Sequence, residues 1–259
     1  MPNYEQVLER HLAKQGINIV VKDIDQVDEQ EYIMARMDWL GASDSSKLLN
    51  VNPFPDGKFE NLVEEKILKV SNPLINKKAV VRMGKDLEPM IIDKINKFLE
   101  TKDIFMHIYK PVNMYGDTIT HLGCNFDGIL FSDTEILMPI EIKTVSKYGR
   151  KYYDFTKSTY YQQEGEWQTR PELEEPDYSP EEYENIAHYY GIPVYYYTQL
   201  QQQLKLLNKP YGILGVLDVE NWDIHLFKIP SNKFLWNELT KAAYLAWMQI
   251  DTARKIKKA

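Results

Sequence analysis

The spacing of apolar residues changes character along this chain, and each change predicts a different kind of element. Val7, Leu8 and Leu12 recur at helical spacing and predict an amphipathic helix over 3–15, and the short apolar run 17–21 reads as a strand. Ser and Asp residues from Ser43 onward suit the start of a helix reaching Leu49, and Asn52-Pro-Phe-Pro-Asp-Gly57 is turn chemistry. Leu62, Val63, Lys66 and Ile67 predict a helix over 59–70. A longer helix is expected over 79–100, with Gly84 and Pro89 interrupting its propensity. Beyond it, 104–112, 118–123, 125–131 and 136–143 are expected as successive strands of one mainly antiparallel sheet. Residues 145–180 show no period. A helix at 181–190 precedes a second at 194–208, which carries Leu200, Leu204 and Leu207 on one face. Strands at 211–219 and 223–229 and a terminal helix over 231–253 complete the pattern, without repeats.

Composition narrows the class. A chain of 259 residues with 44% apolar content suits one globular domain, taken as 1–259. No apolar run approaches the roughly 18 residues of a membrane span, and the start lacks a signal-peptide profile. The single cysteine, Cys124, excludes an internal disulfide framework and a site built from several thiolates, and is expected as a small buried residue. A net charge of −7 is the wrong sign for a passive nucleic-acid coat, though not for an enzyme with a local basic strip. The acid is concentrated: residues 164–184 hold nine Asp/Glu against one Arg.

The chemistry sits on the last two of the four consecutive strands. Asn125-Phe-Asp-Gly-Ile-Leu-Phe is followed by Met138-Pro-Ile-Glu-Ile-Lys-Thr144. Neighbours two apart share a strand face, so Glu141 and Lys143 project together while Ile140 and Ile142 enter a core. If 125–131 and 136–143 pair as a hairpin across Ser132-Asp133-Thr134-Glu135, Asp127 comes level with Glu141. Two carboxylates and an ammonium then converge, which is what metal-assisted phosphodiester hydrolysis requires and points to a nuclease. The five histidines show no ligand spacing, and no ATP-binding Gly-rich loop occurs.

Three more segments stand in order with this strand pair: Arg36-Met-Asp-Trp-Leu-Gly-Ala-Ser43, Arg82-Met-Gly-Lys-Asp-Leu-Glu88-Pro, and Tyr195-Tyr-Tyr-Thr-Gln199. Together the four resemble the lambda-exonuclease-like, YqaJ-type viral recombinase family of the PD-(D/E)XK nuclease superfamily, from near residue 30 to near residue 220. The resemblance implies an α/β, restriction-endonuclease-like core: a central mixed sheet flanked by helices. It makes Glu88, Asp127 and Glu141, with the Ile142 carbonyl, ligands of Mg²⁺, for which Mn²⁺ would substitute. Lys143 becomes the catalytic lysine and Gln199 a helical residue closing the site. Arg36 and Ser43 become the pocket for a DNA 5′ phosphate, and Asp117 a loosely matched further acid. Arg82, Lys85, Lys147, Arg150 and Lys151 are candidates for the DNA backbone, and tyrosines 148, 152, 153, 160 and 161 for base stacking or, more simply, packing.

The implied activity is a 5′→3′ exonuclease on double-stranded DNA ends, leaving 3′ overhangs for recombination by strand annealing. The implied partners are a single-strand annealing protein and further copies of the chain in a ring-shaped trimer. The implied setting is the cytoplasm of a bacterial host, with the protein encoded by phage or prophage. Residues 145–190 depart from the family as an insertion. The rival readings are an endonuclease of the same superfamily, for restriction or DNA processing, and a catalytically idle DNA-binding or interaction protein with the same fold.

Overall fold

The computed structural model describes residues 3–69, 79–103, 105–133 and 135–258. Val70, Ile104 and Thr134, which close the expected helix and lie in the expected strand and turn, fall outside them. Helix α1 (Tyr4–Ala13) is capped by Asn3, whose side chain accepts from the Gln6 N–H at 3.1 Å, and it buries Leu8 and Leu12 completely. Strand β1 (Ile17–Val21) leads to α2 (Glu29–Arg36), which Asp28 caps by accepting from Gln30 at 2.7 Å. Strand β2 (Leu40–Gly41), a tight turn at Ala42–Asp44 and the short α3 (Ser45–Leu48) come next. Then follow α4 (Phe59–Leu68), the long α5 (Ala79–Glu100) and five strands: β3 (Met106–Tyr109), β4 (Met114–Asp117), β5 (Leu122–Cys124), β6 (Gly128–Ser132) and β7 (Glu135–Val145). A single turn, α6 (Lys147–Arg150), precedes the hairpin of β8 (Tyr160–Gln163) and β9 (Glu166–Thr169). The chain ends with α7 (Tyr183–Tyr189), α8 (Val194–Leu207), β10 (Tyr211–Asp218), β11 (Asp223–Pro230) and α9 (Lys233–Lys258).

The strands do not form one antiparallel sheet as expected. They divide into a seven-stranded sheet in the order β3-β6-β7-β10-β11-β8-β9 and a four-stranded sheet in the order β1-β4-β5-β2. Segment 114–117 is too short to show alternation, and its partners β1 and β5 draw it, with 122–124, out of the larger sheet. The larger sheet is mixed, because β7 and β10 run parallel, with Ile142 opposite Gly215. Helix α8 is the pivot of the molecule. Its Leu200, Leu204 and Leu207 are fully buried as expected, but so are Gln201, Gln202 and Gln203, which the sequence presents as a polar run. Their buried Nε2 groups have partners: the Gln202 Nε2 donates at 2.9 Å to the carbonyls of both Leu40 and Gly123, in the paired strands β2 and β5 of the smaller sheet. Gln201 donates to the Pro230 carbonyl at 2.8 Å at the end of β11. One helix thus hydrogen-bonds both sheets.

Candidate active site

The hairpin forms in the expected register. Gly128 pairs with Ile140, so Asp127 lies one position beyond the ladder, level with Glu141. Ile140 and Ile142 are buried, and Asp127 accepts from the Ile142 N–H at 2.9 Å, which closes the end of the hairpin. Gly128 is required there: a Cβ would stand 2.6 Å from Ile108 Cγ2 of β3. Glu141 is only 1% exposed, and it is hydrogen-bonded by Lys143 on one oxygen. The same Lys143 ammonium donates to the Ile142 carbonyl at 3.1 Å and lies 3.7 Å from Asp127 Oδ2.

Two helices aim further groups here. Gln199 of α8, the helical residue expected to close the site, donates to Glu141 Oε1, and Gln203, one turn on, donates to Oε2. Gln203 was legible in the helical spacing of the Gln run, which puts 199 and 203 on one face. Helix α5 comes close to β7 at Gly84, where a Cβ would meet Thr144 Oγ1 at 3.3 Å, and Glu88 lies one turn further along the same face. Pro89 stands inside this unbroken helix, so the expected interruption does not occur. Glu88 forms an ion pair with Lys110 at 2.7 Å, a partner the sequence did not single out. Burial, reinforced by the charge of Asp127, raises the Glu88 carboxyl above its ordinary range. The same two causes push Glu141 up to about 8. Burial works against the Lys143 ammonium, but Glu141 and then Asp127 outweigh it and hold its pKa above the usual value.

Arg36 closes α2 and Ser43 lies in the turn before α3. The guanidinium donates to the Ser43 hydroxyl at 3.2 Å, so the structure brings the expected pair together at the surface. Beneath them is a buried ion pair that sequence reasoning missed. Lys66 of α4, 4% exposed, lies 3.1 Å from Asp44 and donates to the Arg36 carbonyl at 3.1 Å. Burial opposes the charge of Asp44, but Lys66 and then Arg36 hold its carboxyl below the usual range. Asp44 also accepts from the Gly41 N–H at 3.0 Å. Cys124 is buried and free as expected, and burial, then the charges of Glu141 and Asp127, push its thiol well above the ordinary range.

No family profile matches the sequence, and no curated protein matches it. Solved structures do. A crystal structure of an alkaline exonuclease from Laribacter hongkongensis superposes with a TM-score of 0.55 at 14% identity, covering 88% of this chain and 96% of that one. The structure of the same enzyme, LHK-Exo, in complex with dAMP gives a TM-score of 0.55 at 15% identity over the same shares. The chain has the fold of an alkaline exonuclease. This is the expected α/β core, with a central mixed sheet flanked by helices.

On this exonuclease fold the remaining candidates separate. Arg82 and Lys85 are exposed on α5, and Lys147 and Lys151 are exposed at and after α6, their ammonium groups over the rings of Tyr148 and Tyr152. Arg150 is instead engaged with Asp218 at 3.1 Å, whose side chain is buried at the end of β10. Tyr153 packs in the core against Tyr196 and Phe227, and Tyr160 against Phe98, whereas Tyr148 and Tyr152 are exposed. Tyr161 lies under the Arg170 guanidinium, 3.8 Å from its ring centroid. Asp117, the last residue of β4, accepts from Ile119 N at 2.9 Å and Thr120 Oγ1 at 2.7 Å in the turn that follows. The acidic stretch is not a loop throughout. Its first part forms β9, the sheet edge, with Trp167 stacked on Phe98 at 4.4 Å. That edge lies four strands from β7, about 19 Å at the usual strand spacing.

The donor chemistry suits a divalent metal. Asp127, Glu141 and the Ile142 carbonyl are hard oxygen donors, and all three already converge on one cation, the Lys143 ammonium. Glu88 is drawn aside by Lys110, and among the described residues no three His, Cys, Asp or Glu side chains stand as a ready ligand set.

Proposed function

We propose that this protein is a Mg²⁺-dependent DNA exonuclease that degrades double-stranded ends 5′→3′ and leaves 3′ overhangs for strand-annealing recombination. The observation that carries the reading is the convergence of Asp127, Glu141 and the Ile142 carbonyl on the Lys143 ammonium at the end of the β6–β7 hairpin. Asp127, Glu141, Ile142 and, released from Lys110, Glu88 would hold Mg²⁺ or Mn²⁺. Such an ion supplies a water of lowered pKa and charge stabilisation at the leaving oxygen. Gln199 and Gln203 fix the Glu141 carboxylate so that it keeps one orientation. Lys143, displaced from its carboxylate partner, faces the phosphate as a point cation and offsets the charge that develops there.

Arg36 and Ser43 supply a guanidinium and a hydroxyl for a terminal phosphate, with Lys66 holding the backbone of Arg36 in place. Arg82, Lys85, Lys147 and Lys151 are the exposed cations that would track the DNA backbone, while net charge elsewhere is negative. Assembly into a ring of identical chains and supply of overhangs to an annealing protein complete the proposal.

The test compares linear duplex bearing 5′-phosphate or 5′-hydroxyl ends with a covalently closed circle, in Mg²⁺ and in EDTA. The expected result is Mg²⁺-dependent digestion of the phosphorylated linear DNA alone, much slower digestion of hydroxyl ends, and loss of that preference in Arg36→Ala. Asp127→Ala should bind DNA and fail to cut it. Cutting of the closed circle makes the protein an endonuclease, and Mg²⁺-dependent cutting by Asp127→Ala removes the site assignment.

A further inference from the structure

An open cleft of about 410 Å³ lies beside the carboxylate site, between the segment after α6 and the start of α8. Its walls include Tyr152, Tyr153, Tyr195, Lys151, His188 and Glu184. Only a layer of aromatic rings separates it from Lys143. The Lys143 ammonium is 5.4 Å from the Tyr196 ring, and Tyr196 stacks with Tyr153 at 6.4 Å and meets Tyr195 at 4.4 Å.

The rings on the open side are not needed by the core. Tyr152 is 53% exposed, and Phe54, 56% exposed, reaches Tyr195 at 5.6 Å. Lys151 holds its ammonium 5.0 Å from the Tyr152 ring, at the rim of the cleft. Aromatic faces with a cation at the edge are what a nucleotide requires: the base has a π-face and its phosphate a negative charge. Of the two acids on the wall, Asp154 is already used, accepting from the Thr156 N–H at 3.1 Å and its hydroxyl at 2.6 Å. Glu184 remains as an acceptor for a base amino group. An apolar peptide would leave Lys151 and Glu184 unanswered.

We propose that this cleft is a nucleobase subsite, in which Tyr152 and Tyr195 stack against one unpaired base of the strand that enters the carboxylate site while Lys151 neutralises its phosphate. The inference rests on the DNA-nuclease reading and adds to it a position along the substrate. It also gives the segment after α6, which sets this chain apart from the family pattern, a role in substrate binding.

Single-stranded oligonucleotides carrying 2-aminopurine at successive positions from a 5′-phosphate end, bound to the protein in EDTA, locate the base by its loss of fluorescence on stacking. Quenching is expected at one position, kept in Tyr152→Phe and lost in Tyr152→Ala, a change at an exposed side chain. An oligonucleotide abasic at that position should bind the wild type about 5- to 150-fold more weakly. Tyr152→Ala should weaken binding of the intact strand and add nothing on the abasic one, since the two partners of one contact are not additive. Additive losses, or quenching that survives both Tyr152→Ala and Tyr195→Ala, overturn the subsite while DNA cleavage stands. A protein that neither binds nor cuts DNA in Mg²⁺ overturns the nuclease reading, and the subsite with it.

Discussion

His225 shows how burial and neighbouring cations together set a residue's behaviour here. It stands in the middle of β11, with Phe155 stacked on its ring at 4.2 Å and Ser158 within 3.3 Å of Nδ1. Burial, then the charges of Arg170 and Arg150, lower its pKa to about 4 from an ordinary value near 6.5. The folded chain therefore binds this proton less readily than the unfolded chain. The stability it contributes is complete above pH 6.5 and is lost as pH falls towards 4. The unfolding free energy of the wild type, from urea titration, should fall between pH 7 and pH 4.5 by about 1–3 kcal/mol more than that of His225→Gln. Parallel pH profiles for the two proteins would refute the assignment. At this scale the site residues separate by what a sequence can encode. Asp127, Glu141 and Lys143 were legible because strand alternation dictates which side chains share a face. Lys110 and Lys66 were not, because each is defined by a carboxylate from a distant part of the chain, Glu88 and Asp44.

Among the elements, α5 carries an evident conflict between local preference and placement. Pro89 has no N–H for the Lys85 carbonyl, and its ring disfavours the helical conformation of the residue before it, which is Glu88. The helix nevertheless runs unbroken from Ala79 to Glu100, buried on one side through Ile91, Ile95 and Phe98. Packing has overridden propensity beside a residue assigned to the site. Pro89→Ala should raise stability by about 1–3 kcal/mol, read from the denaturation midpoint, and should lower the cleavage rate by relaxing the backbone that aims Glu88. A variant that is more stable and equally active would show that the proline has no part in positioning it. Long elements with one apolar face were legible in the sequence, α8 and the β10–β11 pair among them. The β8–β9 hairpin was not, since Tyr160-Tyr-Gln-Gln and Glu166-Trp-Gln-Thr form the outer edge, where one face is not consistently apolar.

For the whole molecule, the two-sheet arrangement was illegible for a related reason: the smaller sheet pairs β4 with β1 and β5 with β2, strands far apart in sequence, and nothing local announces such partners. Charge is distributed just as unevenly as polarity. The first part of the acidic stretch is carried to the far edge of the larger sheet, while the carboxylates of the site are kept beside cations the chain provides itself. The ammonium of Lys143 lies against Glu141 and near Asp127, so an incoming metal would compete with a resident that cannot diffuse away. On the proposed metal-dependent reading, such a chain would act as its own weak competitive inhibitor of metal uptake. Its idle state would be screened against stray cations, and part of the intrinsic affinity would be spent on evicting the side chain. Lys143→Met should therefore take up Mn²⁺ more tightly than the wild type in a calorimetric titration, even as it cuts DNA more slowly. Equal or weaker uptake would mean that the lysine never stood in the metal's way.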